Sequence, residues 1–268
     1  MTEKHTFIIP AFGNSPYLEE CIQSLLNQSV KSTILITTST PSEFILEIAQ
    51  KHHLTLQINP IGNNGIAEDW NFAIAQANTP FVTLAHQDEI FQPDYTESIM
   101  RRIELNTNKR IIILFTNYQE MIGKNFRSQV TFHAIVKKLL LSPFLLMPNI
   151  SSKIIKKAIL SLGTPICCSS VTFHKDLILD FTFSKQYRVA LDWYAWLQLS
   201  EKSGYFCYLN KKLISHRIHS GTETYQQIQS GMRYKEELAI FTSIWGKTIA
   251  KFLMKFYIHG HTIHTKVE

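Results

Sequence analysis

Three features of the sequence predict an α/β fold with a mostly parallel central sheet flanked by helices. Short apolar runs alternate with amphipathic stretches from Thr6 to Asn106, the pattern of strand–helix–strand units with right-handed crossovers. The run Phe81-Val82-Thr83-Leu84-Ala85 turns abruptly into His86-Gln87-Asp88-Glu89, as a buried strand does at the carboxyl end where open α/β sheets bind ligands. The chain has 268 residues, 45% hydrophobic and 18% charged, which suits one large globular domain with a full core.

The elements follow in order. Thr6–Ile9 is the first strand, stopped by Pro10. Ser15 stands as a helix cap with Pro16 at the first helical position and Leu18, Ile22, Leu25 and Leu26 as the apolar stripe. Thr33–Thr37 is the second strand, and Thr40-Pro41-Ser42-Glu43 is a capping-box pattern opening the second helix. Leu54–Ile58 is the third strand. Asn63-Asn64-Gly65 is a turn, and Ile66–Asn78 is a helix with Ile66, Trp70, Ala73, Ile74 and Ala77 on one side. After the strand at Phe81, Pro93 opens a helix to about Asn106. Strands at Ile111–Phe115, Val171–His174, Phe206–Leu209 and Leu213–Ile218 extend the sheet.

Two segments differ in character. Residues 130–162 hold Val136, Leu139–Leu141, Phe144–Met147 and Ile154–Ile155 with Lys137, Lys138, Lys153, Lys156 and Lys157, and no Asp or Glu. Beyond Tyr234, Lys247, Lys251 and Lys255 fall four apart, with Trp245, Ile249, Phe252, Leu253 and Phe256 over much of the rest. Such basic amphipathic helices suit either a membrane interface rich in anionic lipid or packing on the core with lysines reaching out to water. No run of eighteen apolar residues is present, so no spanning helix is expected. No signal peptide is expected at the N-terminus either.

The net charge of +6 favours anionic partners. The lysines cluster with aliphatic bulk rather than in an aromatic and basic groove, so nucleic acid is not an expected partner. Cys21, Cys167, Cys168 and Cys207 show no metal spacing and no disulfide framework, which points to a reducing compartment. The adjacent carboxylates Asp88 and Glu89 suit a hard divalent cation of the kind that accompanies phosphate ligands.

The order of motifs resembles an inverting family 2 glycosyltransferase with the GT-A fold: Pro10-Ala11-Phe12 after a strand, Asn64-Gly65-Ile66 with Trp70-Asn71, the strand ending in Asp88-Glu89, Leu191-Asp192-Trp193, then Arg217-Ile218-His219. The resemblance covers residues 5 to about 224. It divides the chain into a GT-A domain over 1–224, with 130–162 as a basic helical insertion, and a helical extension over 225–268. It implies a nucleoside-diphosphate-sugar donor, UDP- or dTDP-linked, and Mn²⁺ or Mg²⁺. Pro10, Ala11, Phe12, Asn14, Thr38, Asn64, Gly65, Trp70, Asn71, His86, Gln87 and Arg217 then hold the nucleotide-sugar, with Ser220 and Thr222 near the phosphates. Asp88, Glu89 and His219 hold the metal, Asp192 is the catalytic base, and Trp193 and Trp196 face the acceptor.

The chain departs from the family pattern at three positions. His86 replaces the first acid of the Asp-x-Asp motif, Leu191 replaces the acid before the base, and hydroxyl residues replace the acid after the second strand. Those losses would also suit a degenerate chain that only binds sugar-nucleotide or partners a true transferase. The processive-synthase motif and its transmembrane helices are absent, so one sugar per encounter is expected. The implied acceptor is a glycan, lipid-linked in view of the basic apolar segments. The implied location is the cytoplasmic face of the cell membrane, in polysaccharide biosynthesis.

Overall fold

The structure is a computed structural model, which describes residues 2–127, 132–219, 221 and 231–261. Ser220 and Thr222 lie outside the described residues. The sheet is built from β1 (Thr2–Ala11), β2 (Ser32–Thr38), β3 (Thr55–Ile58), β4 (Phe81–Leu84), β5 (Ile90–Phe91), β6 (Ile111–Ile122), β7 (Asn125–Phe126), β8 (Asn149–Ile150), β9 (Val171–His174) and β10 (Tyr205–Ile218). Its order is β3-β2-β1-β4-β9-β6-β10-β5, with β7 on β6 and β8 on β10. The helices are α1 (Leu18–Leu26), α2 (Glu43–Lys51), α3 (Ile66–Gln76), α4 (Tyr95–Glu104), α5 (Phe132–Leu140), α6 (Ser142–Leu146), α7 (Lys153–Leu160), α8 (Leu191–Ser200) and α9 (Met232–His261).

The first half follows the alternating pattern. β3, β2, β1 and β4 are all parallel, and β6 runs parallel to β10. β9 is the exception: it lies between β4 and β6 and is antiparallel to both. A strand buried on both faces carries the same apolar run in either direction, so its sense is invisible to periodicity. The two runs expected around residues 206 and 213 are one strand, β10, whose register slips between Leu209 and Lys212. Asn210, Lys211 and Lys212 are exposed at that irregularity, which explains why they read as a break.

Two helix starts are also shifted. α1 begins at Leu18, and Ser15 heads the preceding turn, its Oγ accepting from the Tyr17 N–H at 3.3 Å. The cap of α2 is Ser42, whose Oγ accepts from the Ile45 N–H at 3.3 Å, while Thr40 Oγ1 accepts from the Gly13 N–H at 2.9 Å and ties down the loop after β1. Gly65 precedes α3 with φ 95°, a backbone state that side chains disfavour.

Apolar clusters fill both faces of the sheet. One collects Leu18, Ile22 and Leu25 of α1, Ile45 and Ile48 of α2, and Tyr95 and Ile99 of α4 against β1, β2 and β6. The other collects Trp70 and Ala73 of α3, Leu160 of α7, Trp193 and Trp196 of α8, and Ile240, Phe241, Ala250 and Met254 of α9. Helix α9 is thus packed into the main core. It breaks at Gly246, where φ 75° and ψ 163° are non-helical. Among the described residues no helix is long and apolar enough to cross a membrane.

Candidate active site

A cavity of about 960 Å³ opens along the carboxyl ends of β1 and β4 and extends under α8 and α9. Its wall at one end is the turn after β4. The Ala85 N–H donates to the Ile8 carbonyl at 2.8 Å, and the Glu89 N–H reaches back to the His86 carbonyl at 3.1 Å. That turn gathers ligand atoms of His86, Asp88 and Glu89 within 4.8 Å of one another. Two of these groups are incomplete as hydrogen-bonding partners: His86 Nε2 and Glu89 Oε2 are buried without a protein partner. Buried polar atoms are rarely left so. An imidazole nitrogen and two carboxylates form a donor set that fits a divalent cation. Burial lowers the His86 pKa, which favours the neutral, ligating form.

Neighbouring groups hold this cluster. Glu89 is buried, and its Oε1 accepts from Ser169 Oγ at 3.2 Å and pairs with His216 Nδ1 at 2.6 Å. Burial alone would lower the His216 pKa, but the Glu89 charge and hydrogen bond outweigh it and lift the imidazole to about 9. Burial opposes ionisation of Asp88, yet its bond from His219 Nε2 at 3.1 Å and the surrounding histidines hold its carboxyl below the ordinary value. His219 therefore meets the cluster as a partner of Asp88. His86, which the resemblance placed on the nucleotide, is the third member of the compact cluster.

Asp192 lies across the same cavity, on the first turn of α8. The dominant influence on it is burial, which raises its pKa to about 6 against the opposing hydrogen bond from the Trp193 N–H at 2.7 Å and the charges of Arg233 and Lys137. A carboxylate with that value is a proton acceptor matched to near-neutral pH. Cys167 also lines the cavity, but burial pushes its thiol up to about 12, so it is no nucleophile.

Pro10, Phe12, Asn14, Gly65, Trp70, His86 and Gln87 all line the cavity. Gln87 grips the loop after β1, its amide bonding both the N–H and the carbonyl of Phe12 at 3.0 Å. The Trp70 ring stacks on His86, with centroids 5.0 Å apart. Five of the expected site residues are absent from the wall. Ala11 and Thr38 are buried in the sheet. Asn64 is exposed beside the wall-forming Asn63 and Gly65. Asn71 bonds the Phe183 backbone at both its N–H and its carbonyl, at 2.7 and 2.9 Å. Trp196 is fully buried and tilted over Phe173, with centroids 5.8 Å apart, so its ring is not open to a sugar. Trp193 lines the cavity, but its side chain is buried and its Nε1 is committed to the Leu160 carbonyl at 2.8 Å. Arg217 lines the cavity but spends its guanidinium on the Asp88 carbonyl at 3.2 Å, the Gly123 carbonyl at 3.3 Å and the Glu20 carboxylate. It secures the cluster turn from behind.

The groups that α9 adds to the cavity carry no local motif that would have marked them as site residues. Arg233, Glu237 and Tyr257 line it beside Lys137 and Arg188, and Arg233 Nε donates to Glu237 Oε1 at 2.8 Å.

Residues 6–178 match the family model described as Glycosyl transferase family 2, more than half of the chain. The chain belongs to glycosyl transferase family 2. Among curated relatives, this chain is 22% identical to Glycosyltransferase GlyG of Streptococcus pneumoniae over 136 residues, 49% of this chain and 45% of GlyG. It is 24% identical to Glycosyltransferase GlyA of the same organism over 106 residues, 38% of this chain and 15% of GlyA. The matches span less than half the length of these relatives. Among solved structures, S. aureus TarS 1-349 superposes with a TM-score of 0.61 at 13% identity, covering 97% of this chain and 72% of that one. Glucosyl-3-phosphoglycerate synthase from Mycobacterium tuberculosis, in complex with Mn²⁺ and UDP-glucose, gives 0.56 at 13% identity over 90% of this chain and 79% of that one. These likenesses establish the GT-A fold. Asp192 and α9 lie beyond the segment that the family model matches.

Proposed function

We propose that this glycosyltransferase moves a single sugar from a nucleoside-diphosphate-sugar onto a hydroxyl of a glycan acceptor, with inversion at the anomeric carbon. One observation carries the reading: the His86-Asp88-Glu89 cluster and Asp192, with its raised pKa of about 6, line one continuous cavity. The Asp192 carboxylate accepts the proton of the acceptor hydroxyl. That oxygen bonds to the anomeric carbon as the bond to the diphosphate oxygen breaks, and the nucleoside diphosphate departs from the opposite face. Mn²⁺ or Mg²⁺ held by His86, Asp88 and Glu89 would neutralise charge on the departing diphosphate. Trp70 and Gln87 shape the donor end, the first by its stack on His86 and the second by its hold on Phe12.

A UDP-linked donor is the first choice, because fold neighbours are complexed with UDP and UDP-glucose. A dTDP-linked sugar is the second. The acceptor in this proposal is lipid-linked and met at an anionic membrane surface. Beyond the Gly246 break, α9 carries exposed Lys247, Lys251 and Lys255 beside Ile249 and Phe252, which are 49% and 59% exposed, and α7 adds Ile154, 80% exposed. Cationic groups beside exposed apolar ones match lipid headgroups over acyl chains.

The test measures UDP affinity and UDP release from UDP-glucose and UDP-N-acetylglucosamine, with water as the acceptor, in the presence and absence of Mn²⁺. Mn²⁺ should tighten UDP binding, and Asp88→Asn should remove at least about 10-fold of that gain while leaving metal-free binding unchanged. An Mn²⁺ effect that is equal in the variant would refute the cluster as the metal site. No release from either donor or from their dTDP counterparts would favour a chain that only binds.

A further inference from the structure

We propose that Glu236, on the second turn of α9, is a positioning residue for Asp192, which makes the C-terminal helix part of the catalytic apparatus. The inference rests on Asp192 being the base, as proposed above.

Helix α8 starts at Leu191, and its cap position is Ala190, whose side chain has no acceptor. The backbone donors at a helix start need partners. Here the acceptor comes from 46 residues further along the chain. Glu236 Oε1 accepts from the Arg188 N–H at 2.9 Å, and its Oε2 accepts from the Val189 N–H at 2.8 Å and the Ala190 N–H at 2.9 Å. One carboxylate thus holds three consecutive amides, and those three residues line the cavity together with Leu191 and Asp192. Charge-assisted bonds to a carboxylate are the stronger kind, and a negative group is favoured at a helix N-terminus.

The chain of support is short. Glu236 fixes residues 188–190, which set where α8 begins. The first turn of α8 fixes Asp192, two residues beyond the last held amide, and Asp192 Oδ1 is bonded to the Trp193 N–H. The holder is itself anchored. Ile240 and Phe241, one turn further along α9, are buried, and the Phe241 ring meets Trp193 edge-on with centroids 4.9 Å apart. Glu236 directs both oxygens at backbone amides, so it acts on the reaction through the placement of Asp192.

The experiment compares Glu236→Ala, Glu236→Gln and Asp192→Asn by steady-state UDP release from whichever of UDP-glucose and UDP-N-acetylglucosamine turns over, across pH 4.5–8.5 (about), with melting temperatures recorded alongside. Glu236→Ala should lower kcat by about 100-fold, the scale of a small displacement of a reacting group. Its KM for donor and its UDP affinity should stay within about twofold of wild type. The acid limb of its pH profile should move down, because a loosened 188–190 segment lets water reach Asp192 and relieves the burial that raises its pKa. Glu236→Gln keeps one accepting oxygen and should fall between wild type and Glu236→Ala. A folded Glu236→Gln or Glu236→Ala with wild-type kcat and an unmoved acid limb overturns the proposal. So does a loss of kcat accompanied by an equal loss of UDP affinity, which would mark a purely structural brace. If Asp192→Asn turns over normally, the underlying assignment of the base fails instead.

Discussion

Asp192→Asn should abolish catalysis and stabilise the protein. Asparagine keeps the shape of the side chain and an oxygen for the Trp193 N–H, while the charge that burial opposes is removed. Raising a carboxyl from 3.8 to about 6 corresponds to about 3 kcal/mol at full ionisation. The side chain is only half-buried, so contact with solvent reduces this to about 2 kcal/mol. In a chain of this size that is about 4–8 °C in Tm. The sign follows from linkage. The folded state binds the Asp192 proton more tightly than the unfolded state, so wild type has no penalty below the unfolded value of 3.8. The penalty grows as pH rises to about 6 and is constant above. The gain from Asp192→Asn is therefore full at pH 7–8 and vanishes near pH 3.8. Differential scanning calorimetry at pH 8 and at the lowest pH where unfolding stays reversible measures it. UDP release on the same samples should fall at least about 100-fold. A variant that melts at or below wild type at pH 8 would refute the claim that burial is what raises this pKa.

Two further outcomes follow from other parts of the molecule. Gly204→Ala should destabilise by about 3 kcal/mol in urea, because an added Cβ would sit 2.6 Å from the Arg110 carbonyl oxygen at φ 138°. A change below about 0.5 kcal/mol would show that the β6–β10 junction yields easily. Combined Lys247→Glu, Lys251→Glu and Lys255→Glu should weaken sedimentation with phosphatidylglycerol vesicles by at least about 100-fold without altering UDP release from soluble donor. Equal binding by both proteins would remove the membrane from the proposed function.

The parallel half of the sheet was legible because each strand there is followed by a helix with a one-sided apolar stripe, as Leu18, Ile22 and Leu25 mark α1. The cluster turn was legible because an apolar strand cannot continue through Gln87-Asp88-Glu89. The direction of β9 was hidden, since its Val171, Thr172 and Phe173 are buried whichever way the strand runs. The fate of the aromatic residues was equally hidden. A tryptophan within about one turn of a helix-start aspartate reads the same whether it meets a sugar or, like Trp196, another core ring. Contacts that close over long stretches of chain carry no local mark, as with Glu236 on Arg188–Ala190 and His216 on Glu89.

The pair of hydrogen bonds between Asn71 and the Phe183 backbone bears on how variation at this position is to be interpreted. Its carboxamide imitates a neighbouring peptide group, offering one donor and one acceptor at fixed spacing to a single residue's N–H and carbonyl. Aspartate lacks the donor, serine the reach, and glutamine adds a methylene that spoils the match. Selection for this grip alone would keep asparagine at position 71 through long divergence, so an unvarying column there would testify to architecture and not to chemistry.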